Sequence, residues 1–199
     1  MAVQNLDQMA WGYLMASSRD QKLYSHELID AGASVIFPLL HAGLRTTRDF
    51  RPSDRSAWDQ KATDAESAWI YQIAEPMLKG IYTIMDAIGQ PAYDALCRAM
   101  WDQDERLKVL AAIVMLMEEQ PSPRTVKQVQ ETCNMLWEND QSKKYFRQSC
   151  ILIILSYFLA QAGDSVYQQA LRDAASQLKM SDKQAIEASR NTGLLYLIR

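Results

Sequence analysis

Between positions 45 and 61 the cationic residues Arg45, Arg48, Arg51, Arg55 and Lys61 recur, with Phe50 and Trp58 set among them. Guanidinium groups can grip phosphates while aromatic rings stack on bases, so the residue types fit a nucleic-acid contact. They fit a protein interface as well, where Arg and Trp are favoured anchors. Asp49, Asp54 and Asp59 neutralise much of the charge, which is also what a salt-laced surface loop would carry.

Other reactive residue types are sparse. His26 and His41 are the two histidines, and neither stands in Glu-x-x-His or His-Glu-x-x-His spacing, so a di-iron carboxylate bundle site of the usual kind is excluded. Spacings for zinc held by two histidines and two cysteines are missing too. Ser25 and His26 are neighbours, and side chains at i and i+1 on a helix diverge. His26 reads as a first-turn surface residue, and His41 as a polar residue near a buried face. The seven glycines are scattered, with no phosphate-cradling run. Cys97, Cys133 and Cys150 form no CxxC pair and read as reduced, buried thiols. No catalytic residue, metal site or cofactor is expected.

Four carboxylates lie in apolar surroundings: Glu75, Asp86, Glu118 and Glu119. Glu75 and Asp86 share a helix face about 16 Å apart, too far for a paired acid and base. They read as solvent-facing, or as partners of Lys79 or Arg98, and Glu118-Glu119 as a solvated helix end. Met100, Met115, Met117 and Met135 are core material or, alternatively, a Met-lined docking groove. After Asn191-Thr192-Gly193, which reads as a helix stop, Leu194-Leu195-Tyr196-Leu197-Ile198 is an apolar tail without a polar face. Left in water it would be a liability. It either docks back onto the bundle or buries against a partner or a second copy.

Helices must position all of these. Leu6, Met9, Ala10, Tyr13 and Leu14 follow one helical face. Ser25 can cap a second helix running toward Leu44, with a break expected near Phe37 because of Pro38. Thr63-Asp64-Ala65-Glu66 is a capping box opening a long helix that Pro76 should bend and Gly89 should stop. Pro91 suits the first turn of the next helix, and Asp102 or Asp104 can restart the chain through Leu107–Glu119. Ser122-Pro123, Ser165 and Ser181-Asp182-Lys183-Gln184 mark three further starts, and Gly163 one more stop.

The stretches 106–139 and 148–181 align when offset by 42 residues: Val109–Ile113 fall opposite Ile151–Leu155, and Val129, Cys133 and Leu136 opposite Leu171, Ala175 and Leu178. Each reads as an apolar helix, a polar break and an amphipathic helix. The expected fold is all-α, a compact bundle of about eight helices with an internal helical-hairpin pseudo-repeat. Residues 1–44 read as an N-terminal helical arm, 45–61 as an Arg-rich linker or loop, and 62–199 as the main bundle.

The 199 residues suffice for one sizeable core, and the net charge of −3 gives no global field drawing the chain onto nucleic acid. Cys150–Ala162 is the most apolar run. It is short of the about 20 residues a membrane span needs, so no membrane insertion is expected. The first residues lack the basic and apolar regions of a signal peptide, which makes the cytoplasm the expected location.

From Arg106 to about Arg190 the chain resembles the tellurite-resistance TerB-like helical domain. The likeness rests on Phe158-Leu159-Ala160-Gln161-Ala162-Gly163-Asp164, followed by Leu171-Arg172-Asp173-Ala174-Ala175-Ser176-Gln177-Leu178 with Ser181 behind it. Such domains have internally repeated helical segments and an Asp-Gly near the turn. Here the order is Gly-Asp and the acidic residues around the turn are missing, so the resemblance carries over no metal ligands.

These observations lead to a non-enzymatic interaction protein, an adaptor, chaperone-like subunit or assembly component working through protein–protein contacts. Its partner is an unidentified protein, with self-association a further option. Its contact residues would be Arg45, Arg48, Phe50, Arg51, Arg55 and Trp58, together with Leu194, Leu195, Tyr196 and Leu197. Two alternatives stand beside it: a nucleic-acid-associated subunit using Arg45–Lys61, and a helical small-ligand binder or enzyme with a dispersed site.

Overall fold

A computed structural model describes residues 3–17, 19–47, 63–139 and 146–198. Arg48, Phe50, Arg51, Arg55 and Trp58 lie outside the described residues. The elements in chain order are α1 (Val3–Met15), α2 (Gln21–Asp30), α3 (Ile36–Arg45), α4 (Asp64–Trp69), α5 (Glu75–Ile88), α6 (Gln90–Ala99), α7 (Glu105–Met115), α8 (Pro123–Asn139), α9 (Phe146–Gln161), α10 (Ser165–Gln177) and α11 (Asp182–Ile198). A π-helical stretch, Ile70–Ala74, joins α4 and α5 into one rod. The described residues therefore make ten helical rods and no strand, against about eight helices expected.

The helix starts are set by local chemistry. The Thr63 hydroxyl accepts from the Glu66 amide at 3.2 Å while the Thr63 amide donates to Glu66 Oε2 at 2.7 Å. Ser181 and Gln184 make the same reciprocal pair. Asp104 caps α7, and Ser122 Oγ accepts from the Thr125 amide at the start of α8. Gly89 and Gly163 take the positive φ that stops a helix. Before α10, Asp164 rather than Ser165 is the cap: its carboxylate accepts from the Val166 and Tyr167 amides.

Three boundaries differ from expectation. Ser25 sits inside α2, its hydroxyl donating to the Lys22 carbonyl, so the helix starts five residues earlier than a Ser25 cap would set it. The break expected near Phe37 falls at Gly32–Val35, a 3-10 turn entered at Gly32 with φ +61°. Pro38 lies in the first turn of α3, where a missing N–H costs nothing. At Pro76 the chain carries the π stretch just ahead of the proline. The wider turn accommodates a ring that would crowd the Gln72 carbonyl and an N–H that is not there.

The core is centred on α7, which packs against α3, α5, α6, α9 and α11. Leu107 and Val109–Met115 are all fully buried. One apolar cluster runs from Met9 in α1 to Ile198 in α11, so the N-terminal helices read as an arm share it with the rest. The environments of the two aligned stretches diverge in places. Ala111 is buried while its counterpart Ile153 is 47% exposed, and Leu136 is buried while Leu178 is 58% exposed.

The helix stop expected at Asn191-Thr192-Gly193 is absent: α11 continues unbroken to Ile198. Gly193 serves close approach, not termination. A Cβ there would lie 2.9 Å from Ile113 Cδ1 and 3.1 Å from Ile154 Cδ1. The Arg106 guanidinium fastens the end of this helix by donating to the Leu197 carbonyl and the Thr47 hydroxyl. Among the described residues no helix is long and apolar enough to cross a membrane.

Candidate functional site

Glu75, Lys79, Tyr82 and Asp86 recur at i, i+4, i+7 and i+11 along α5, one polar stripe on a helix otherwise apolar except at Thr83. The stripe forms one wall of a groove of about 940 Å³ whose other wall is the turn after α7, with Met117, Glu118, Glu119 and Gln120. All four carboxylates singled out from the sequence therefore line one groove, with Lys79 as the cation among them. Tyr71, from the π-helical stretch, stands at its edge and is exposed. A second lobe of about 720 Å³ shares Tyr71, Glu75, Met117 and Glu119 and adds Lys183, Glu187 and Arg190 from α11.

Glu118 is no solvated helix end. Its Oε2 accepts from the Tyr82 hydroxyl at 3.2 Å and from the Tyr93 hydroxyl, and its Oε1 from the Gln120 amide at 2.8 Å. The carboxylate is thus held in place by groups from α5, α6 and its own turn. Burial, and then the neighbouring Glu118 charge and hydrogen bond, push both tyrosines above their ordinary range, with Asp86 adding to the effect at Tyr82. Glu75 pairs with Arg190 of α11 rather than with Lys79 or Arg98. Asp86 and Glu119 are exposed. The groove is therefore an acidic trough whose inner carboxylates are fixed and whose outer ones face water.

Other sequence candidates fall elsewhere. Leu194, Leu195 and Leu197 are buried, so the apolar tail docks onto its own bundle and takes these three leucines off the surface, while Tyr196 is half-buried against the core. Arg45, at the end of α3, stands 5.9 Å over the Trp11 ring. Met100 and Met115 are fully buried while Met135 is exposed, so the four methionines line no common groove. His26 is exposed in the middle of α2, not its first turn, and His41 is exposed on α3 rather than near a buried face. Among the described residues no three His, Cys, Asp or Glu side chains are arranged to hold a metal ion.

Tyr71, Tyr82, Tyr93 and Arg190 escape the sequence reading. The stripe 75–79–82–86 was the available signal, since it interrupts the apolar pattern of α5 at helical spacing. Nothing local announces Tyr93 or Arg190, which reach the site from other helices. Comparison with protein-family models, curated proteins and solved structures finds no match for this chain, and so neither supports nor opposes the expected TerB-like resemblance.

Proposed function

We infer that this chain is a non-enzymatic helical interaction protein, an adaptor or assembly component, that takes a Lys- or Arg-bearing segment of a partner protein in the acidic groove of α5. One observation carries the reading: Glu75, Asp86, Glu118 and Glu119 come from two separate elements onto one open trough, with Lys79 as the cation of that lobe. Like charges brought together on a surface repel, and a cationic partner relieves that repulsion. The tyrosine hydroxyls hold the Glu118 carboxylate in place and occupy lone pairs of its Oε2, which suits a fixed recognition element. The exposed Tyr71 ring offers a face to a cation. Arg190 on Glu75 is an internal instance of the same pairing.

The test is titration of the full chain with an oligo-arginine peptide, with an oligo-glutamate peptide as control. Arginine peptide alone should bind, more weakly as salt rises, and the variant carrying Asp86→Lys with Glu119→Lys should lose about tenfold or more in affinity. Equal binding of the two peptides, or indifference to both charge reversals, would overturn the reading.

A further inference from the structure

α6 and α8 enclose a second groove, about 500 Å³, that differs in character from the acidic trough. Trp101 and Met135 stand on it, 41% and 45% exposed. Single exposed apolar residues are ordinary on a protein surface. An indole and a thioether lining one groove beside Arg98 and Arg124 is the composition of an interface centre, where Trp, Met and Arg are enriched.

The charges say what kind of partner fits. Asp94 and Glu131 face Arg98 and Arg124, two acids against two bases, so the patch attracts neither a strongly basic nor a strongly acidic surface. Arg124 is committed to Asp94 at 2.6 Å. Glu131 is held loosely, 3.9 Å from Lys127 with both side chains largely exposed. Arg98 forms no salt bridge with any described residue. The patch thus presents one uncommitted cation and one weakly committed anion around an apolar centre. A two-fold interface requires a surface that is its own complement, each residue meeting its counterpart's partner across the axis.

We propose that the α6–α8 face is a two-fold interface with a second copy of this chain, Trp101 of each copy seated in the other's groove against Met135, and Arg98 of each paired with Glu131 of the other. The face is separate from the acidic trough, so the two associations are independent.

Sedimentation equilibrium of the full chain over a wide concentration range tests it. A monomer–dimer equilibrium is expected, and Trp101→Glu with Met135→Glu should weaken the dimer about tenfold or more while leaving the melting of the dilute protein unchanged. Arg98→Glu and Glu131→Arg, all-surface changes that do not threaten the fold, should each weaken the dimer singly. The double swap should restore it, because the two charges exchange sides across the axis. Asp86→Lys should leave the dimer intact. A monomer at every concentration, assemblies that grow beyond two copies, a dimer indifferent to Trp101→Glu with Met135→Glu, or a double swap no better than the singles would each overturn the proposal.

Discussion

At Glu118 the surroundings decide what a carboxylate does. In sequence it closes an apolar helix next to Glu119; in space the Tyr82 and Tyr93 hydroxyls from two other helices converge on it. Cys97 and Cys133 are decided by their surroundings in another way. Both are buried, and burial pushes each thiol from its ordinary 9 up to about 12. In the unfolded chain these thiols ionise near 9, so the folded state binds more protons above that pH. The stabilisation from keeping them neutral is complete below pH 9 and is lost as pH rises toward 12. The raised tyrosines act in the same direction at the upper end of that window. Melting temperature should therefore fall with pH from about 9 upward, and less steeply in a variant carrying Cys97→Ala and Cys133→Ala. Identical slopes for the two proteins would show that the thiols do not titrate with unfolding.

At the scale of the element, caps were legible and contacts were not. Thr63-x-x-Glu66 and Ser181-x-x-Gln184 could be read directly because donor and acceptor lie within one turn of each other. Gly193 could not, because its reason is two isoleucines on other helices. From sequence it looked like punctuation; in α11 it is a gap that lets the helix lie against α7 and α9. Two magnitudes set what substitution does here. Alanine in a helix interior gains about 1 kcal/mol over glycine, while forcing atoms into a packed core costs about 1–3 kcal/mol. Gly193→Ala should therefore come out near neutral. Gly193→Val adds two methyl groups beyond that Cβ against Ile113 and Ile154 and should destabilise by about 2 kcal/mol. Denaturant unfolding checks both, as a lower midpoint at unchanged slope for valine. A valine variant as stable as the parent would mean that α11 can move away from α7 at no cost.

For the whole molecule, all-α architecture was legible because apolar spacing and caps agree along the chain, and the centrality of α7 follows from its lack of a polar face. Where the tail belongs was legible only in part, since Leu194–Ile198 read first as a segment for its own core and second as one for a partner. The structure puts Leu194, Leu195, Leu197 and Ile198 into the one cluster that also holds Met9, Leu39 and Leu110. Each buried aliphatic side chain contributes about 1.5–3 kcal/mol, so the four together approach 6–12 kcal/mol as an upper bound. That is comparable with the whole stability of an ordinary domain, about 5–15 kcal/mol. Deleting residues 194–199 also removes the carbonyl that Arg106 holds, leaving that guanidinium, among the described residues, with the Thr47 hydroxyl. The truncated chain should thus lose its cooperative melting transition and exchange its α7 amides rapidly, effects that reach α1 and α3 through the shared core. A tail that served only a partner would give the opposite result: a truncated chain melting like the full one and lacking only the association.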